Sequence, residues 1–107
     1  MSAPPVVYEV MLDVESALLP EYLPWLRHHV AQMLALPGFT GAQVHEQHEP
    51  APAPGRTVFC VHYRLRDRAA LDDYLRTHAA RMRADGEQRF GGRFRAQRRI
   101  LQALADY

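Results

Sequence analysis

The chain has 107 residues, 48% of them apolar, which suffices for one compact core and not for two. Thirteen basic residues against twelve acidic ones leave a formal charge of +1, so bulk charge predicts neither a nucleic-acid nor a membrane partner. The single cysteine, Cys60, excludes an internal disulfide and any multi-cysteine zinc or iron–sulfur site.

Val6 to Val14 places Val6, Tyr8, Val10, Leu12 and Val14 on one parity, the period of a half-buried strand. Ser16 is a candidate helix N-cap. Leu19, Tyr22, Leu23, Leu26, Val30, Met33 and Leu34 then recur at the three- and four-residue spacing of an amphipathic helix. Pro24 suits a helix that starts near Glu21, and Pro37-Gly38 ends it. Phe39 to His48 is a weaker, more polar strand, broken by Gly41. Residues 49–56, EPAPAPGR, form a proline-rich loop, because alternating prolines cannot join a ladder or a helix.

Thr57 to Leu65 is the clearest strand, rich in β-branched and aromatic residues. Asp67 is a candidate cap for a second helical stripe running through Leu71, Tyr74, Leu75, His78, Ala79 and Met82. Gly91-Gly92 turn the chain into a last strand that ends near Leu101. The order β-α-β-β-α-β, with right-handed crossovers, predicts a ferredoxin-like α+β sandwich. Its four-stranded antiparallel sheet has the order 4-1-3-2, with two helices on one face. One domain spans 1–107, with a flexible N-terminus at 1–5.

Strand parity assigns the two faces. Tyr8, Val10, Leu12, Phe59, Val61, Tyr63, Leu65, Phe94 and Ile100 are expected to face the helices. Val7, Glu9, Met11, Asp13, Val58, Cys60, His62, Arg64, Arg93, Arg95, Gln97 and Arg99 are expected on the open face, joined by Ala42, Val44 and Glu46 from the second strand. This open face mixes apolar with ionisable residues. Such a surface suits a sheet that packs on its own copy around a partly polar interior, so a homodimer is expected.

Several stretches resemble a small bacterial family of uncharacterised proteins with the dimeric α/β-barrel fold. They are Trp25-Leu26 with His29, Pro37-Gly38-Phe39-Thr40-Gly41, Val61-His62-Tyr63, and Leu71-Asp72-Asp73-Tyr74-Leu75. His78-Ala79 with Arg81 and Arg83, Arg89-Phe90-Gly91, and Phe94 through Leu101 complete the pattern, which spans nearly the whole chain. The resemblance implies that fold and a homodimer, with no assigned activity. The wider superfamily includes haem-degrading and quinone-forming monooxygenases, lactone isomerases and stress-responsive binding proteins, and fold does not choose among them.

The candidate chemistry lies in a few side chains. His62 and Glu9 fall on one face of neighbouring strands, where a carboxylate can hold an imidazole as an acid/base pair; the alternative is an interface ion pair. Arg95 and Arg99, with Arg93, form a row able to clamp an anion, or an exposed salt-bridged surface. His29 and His78 could contact a ligand, or serve as an interface histidine and a core histidine respectively. Tyr63 and Trp25 complete the candidate ligand-binding set.

Two functions follow. One is a non-catalytic dimerisation or small-ligand-binding module. The other is a cofactor-independent monooxygenase or isomerase acting on a small anionic or aromatic molecule. No metal site and no cofactor is expected, with haem as an option that no motif supports. No apolar run is long enough for a bilayer, and the opening residues lack the features of a signal peptide, so a cytoplasmic location is expected.

Overall fold

The computed structural model describes residues 3–107. Of the N-terminal segment expected to be flexible, residues 1 and 2 lie outside the described residues. Ala3–Pro5 are exposed coil, and the Pro5 carbonyl accepts from the Ala103 N–H at 3.2 Å.

Seven main elements follow: β1 (Val6–Glu15), α1 (Leu19–Leu34), β2 (Phe39–Glu46), β3 (Arg56–Leu65), α2 (Arg68–Thr77), α3 (Ala79–Phe90) and β4 (Phe94–Gln102). Short 3-10 turns at Ser16–Leu18 and Gly91–Arg93 link β1 to α1 and α3 to β4. The strands pair antiparallel in the order β4-β1-β3-β2, the ferredoxin-like arrangement expected from the crossovers. All the helices cover one face. The core between them joins Tyr8, Val10, Leu12, Val61, Tyr63 and Leu65 of the sheet to Leu26, Met33, Leu71, Tyr74 and Met82 of the helices. Burying such side chains supplies about 1.5–3 kcal/mol each before entropy is counted. Among the described residues no helix is long and apolar enough to cross a membrane.

Four local expectations are corrected. Ser16 caps no helix; its hydroxyl pairs with Thr57 Oγ1 at 2.8 Å and ties the end of β1 to β3. The first helix starts at Leu19, with Pro20 in its first turn, so Pro24 lies inside the helix, where it gives up one backbone donor. The second helical stripe divides at His78, whose backbone (φ −122°, ψ −25°) leaves the helical region for one residue. Hydrogen bonds from His78 N–H to Tyr74 C=O and from Met82 N–H to His78 C=O bridge the break. Asp67, by contrast, caps α2 as expected, accepting from Ala70 N–H at 2.9 Å.

The fourth correction concerns β2. Phe39 pairs with Leu65 and Gly41 with Arg64, so Thr40 is an extra residue and the strand's parity flips across it. Ala42, Val44 and Glu46 therefore share the helix-side parity of Tyr63, Val61 and Phe59, while Gly41, Gln43 and His45 take the open face. Gly41 leaves room for a neighbouring side chain. A Cβ at this position would lie 2.0 Å from the Arg64 guanidinium that crosses it.

Candidate functional site

Alternation along β1 divides the candidate residues between two sites. Even-numbered residues look toward the helices and odd-numbered ones toward the open face, so Tyr8 and Glu9 are neighbours in sequence and strangers in space.

On the open face, Glu9 stands between His62 on β3 and Arg99 on β4, its registered partners on either side. His62 Nε2–H donates to Glu9 Oε2 at 2.9 Å, and Arg99 Nε–H donates to Oε1 at 2.6 Å. These partners leave the Glu9 residue only 5% exposed. The Arg99 hydrogen bond holds the Glu9 carboxyl below its ordinary range, against the opposing effect of burial. Cys60 lies beside this group, and burial, followed by the Glu9 charge, pushes its thiol up. His45 completes the cluster. Its Nδ1 donates to the Cys60 carbonyl at 3.1 Å, and its ring centroid is 5.1 Å from that of His62. Arg95 instead reaches Asp13 at 3.4 Å, while Arg56 binds the same carboxylate at 2.8 Å. Arg93 pairs with Glu15. The arginine row thus answers acidic residues of β1, one by one.

On the helix side a cavity of about 180 Å³ lies between the sheet, α1 and α3. Tyr8, Tyr22, Tyr63, Tyr74, Trp25, His29 and Met33 line it, with Arg83, Arg98 and Glu87. Arg98, Glu87 and Gly91 are exposed and mark its mouth. Trp25 stacks on His29 with centroids 4.8 Å apart, and its Nε1–H donates to Asp85 at 2.6 Å. That hydrogen bond holds the Asp85 carboxyl below its ordinary range. Gly86 makes room for the indole, since a Cβ there would lie 2.8 Å from it. Burial lowers the His29 pKa and favours the neutral ring. Burial raises the phenols of Tyr22 and Tyr63, and pushes Tyr74 up to about 12, so all three remain protonated at neutral pH.

Arg83 Nη2 donates to the Tyr8 hydroxyl at 2.8 Å. Arg83 Nε and the Tyr22 hydroxyl are buried and have no hydrogen-bond partner. Among the described residues they are the only such side-chain atoms, and both residues belong to this cavity wall.

The structure therefore brings His62, Glu9 and Arg99 together on one side of the sheet, and Tyr63, Trp25 and His29 on the other. Arg95 sits apart from both with Asp13. His78, at the α2–α3 junction, accepts from Arg81 Nη2 at 2.8 Å. Sequence reasoning did not single out Arg83, Arg98, Tyr8, Tyr22 or Tyr74. A signal existed for Arg98, a charged residue in the helix-facing register of Phe94, Ala96 and Ile100.

Haem does not fit the cavity. Its volume falls below the roughly 300–1,000 Å³ of pockets for drug-sized molecules.

Three solved structures share the fold. A single-site variant of SnoaB, a cofactor-independent oxygenase from Streptomyces nogalater, is similar with TM-score 0.68 and 14% identity over 97% of both chains. The heme-degrader MhuD from Mycobacterium tuberculosis, with two hemes bound in its active site, is similar with TM-score 0.65 and 18% identity over 95% of this chain and 98% of its own. A dimeric ferredoxin-like protein from an uncultured marine organism is similar with TM-score 0.52 and 11% identity over 97% and 99%. No curated protein matches the chain in sequence. The ferredoxin-like core, of the kind built into dimeric α/β barrels, agrees with the match in sequence over residues 5–104: the chain belongs to the family described as Domain of unknown function (DUF4286).

Proposed function

We propose that this protein is a homodimeric, cytoplasmic small-molecule-binding protein. Its helix-side cavity takes a planar aromatic molecule of one or two rings that carries an acidic group. The observation behind this reading is that Tyr22 and Arg83, whose Oη and Nε are buried without partners, both line this cavity. Buried polar groups nearly always have partners, and a polar ligand toward which these two side chains turn would supply them. Stacked aromatic walls suit a flat ring. A cavity of about 150 Å³ already holds benzene, so this volume admits a substituted ring. Two guanidinium groups against the single Glu87 carboxylate favour an anion.

Pairing through the open face is supported by its mixture of half-buried Val7, Met11 and Cys60 with ionic groups, and by the fold it shares with a dimeric ferredoxin-like protein. A second reading, proton-transfer chemistry leading to cofactor-independent oxygenation or isomerisation, has one observation in its favour. His29 faces the cavity as a neutral imidazole and can accept a proton from a bound phenol. His62 and Glu9, across the sheet, do not reach a molecule held there.

Trp25 is the only tryptophan, so its fluorescence reports the cavity directly. Titration with hydroxybenzoates and naphthoates is expected to quench it saturably, with neutral isosteres binding more weakly. Absence of saturable quenching by any such acid overturns the binding assignment. Light scattering is expected to give twice the chain mass, and a monomer would overturn the pairing. Oxygen uptake with a bound phenol that disappears in His29→Gln would establish the second reading.

A further inference from the structure

We propose that Glu9, Cys60 and His62 form a binding site for a thiophilic divalent cation of the zinc type on the open face of the sheet. Cys60 and His62 are two residues apart on β3 and so share a face, and Glu9 is the registered partner of His62 on β1. One ligand atom from each residue lies within 4.8 Å of the other two. A tetrahedral zinc with bonds of about 2.0–2.3 Å requires such atoms roughly 3.3–3.7 Å apart. Side-chain rotation alone closes the difference, and Nε2 of His62 is already 2.9 Å from Oε2 of Glu9.

The donor set decides the metal. Sulfur, imidazole nitrogen and a carboxylate oxygen select zinc or cobalt over calcium or magnesium, which prefer all-oxygen sites. The surroundings are those of a supported site. Arg99 holds Oε1 of Glu9 and leaves Oε2 aimed at the cluster. On the next strand, the hydrogen bond from His45 Nδ1 to the Cys60 carbonyl fixes the proton on Nδ1, because a carbonyl only accepts. The lone pair of His45 is therefore on Nε2; its ring lies 5.1 Å from that of His62, outside the ligand set, and the fourth position is left to water. On binding, the cation replaces the proton shared by His62 and Glu9 and the proton of the Cys60 thiol. These two protons pass to solvent. The site uses residues of one chain and is independent of the helix-side cavity and of its ligand.

Cobalt titration of the full, tag-free chain tests the site. The metal is added both to the folded protein and during refolding, so that a covered face does not block entry. Thiolate-to-cobalt absorption in the near ultraviolet is expected to saturate at one cobalt per chain and to be displaced by zinc. It is expected to vanish in Cys60→Ser and to weaken at least tenfold in His62→Ala, with far-ultraviolet circular dichroism unchanged. Wild-type protein that shows no such band under either condition, or a band that survives in Cys60→Ser, overturns the site. Because the wild-type band is read first, a variant that fails to fold does not rescue the proposal.

Discussion

Arg98 and Arg99 are adjacent in the chain and serve opposite faces of the sheet. Arg98 borders the aromatic cavity, and Arg99 donates to Glu9 at 2.6 Å on the open face. Their exchange for glutamine separates the two sites. Arg98→Gln is expected to weaken an aromatic acid about 10–100-fold, the worth of one charge-assisted hydrogen bond, and to leave its neutral isostere nearly unchanged. Arg99→Gln is expected to leave ligand affinity alone and to lower the unfolding midpoint, since it deprives a buried carboxylate of one of two partners. Fluorescence titration and thermal melts of both variants check this; equal affinity losses would refute the separation.

Tyr22→Phe removes a buried hydroxyl that has no partner. Such a group costs about 1–3 kcal/mol to bury. The variant is expected to be more stable than wild type by about 1 kcal/mol without ligand, and to bind the ligand less tightly. Denaturant unfolding with and without ligand measures both changes. A destabilised ligand-free variant would mean that the hydroxyl is already satisfied.

Much of this was legible from the chain. The parity of β1, β3 and β4 placed Glu9, His62 and Arg99 on one face and Glu9 beside His62, while the contact of Arg99 with Glu9 depended on the β1–β4 register, which parity alone does not set. The β2 register was legible only in part: Gly41 marked a break in the strand, but no feature of Thr40 marked it as the extra residue. The break at His78 was equally hidden: neither proline nor glycine stands there, and tertiary packing of Leu71 and Tyr74 on one side and Ala79 and Met82 on the other decides it. The cavity escaped notice because tyrosines at helical spacing read as core until the volume between them is seen.

The pH dependence of stability follows from His29. Burial lowers its folded pKa below the ordinary 6.5, so between those two values the unfolded chain binds more protons. Stability is therefore expected to fall as the pH drops through about 6.5 and to level off below the folded pKa. His29→Gln is expected to flatten this part of the profile. Urea melts between pH 5 and pH 8 test it, and an unchanged slope in the variant would assign the dependence elsewhere.

Gly86 lies inside α3, where alanine ordinarily stabilises by about 1 kcal/mol. Here the added methyl would sit 2.8 Å from the Trp25 ring. Gly86→Ala is expected to bring no gain in stability, to shift the Trp25 emission, and to weaken ligand binding. A stabilised variant with native emission would show that the indole moves freely.

The extra residue at Thr40 sets a reading frame for β2. Pairing Thr40 into the ladder would carry Gln43 and His45 beneath the helices and deliver Ala42 and Val44 to the opposite surface, whereas deleting it would leave both faces as they are. An imidazole at the edge of the Glu9 cluster thus depends on Thr40, several positions upstream, staying out of the ladder. Relatives that lack the insertion would be expected to carry their polar residues of this strand on the other parity.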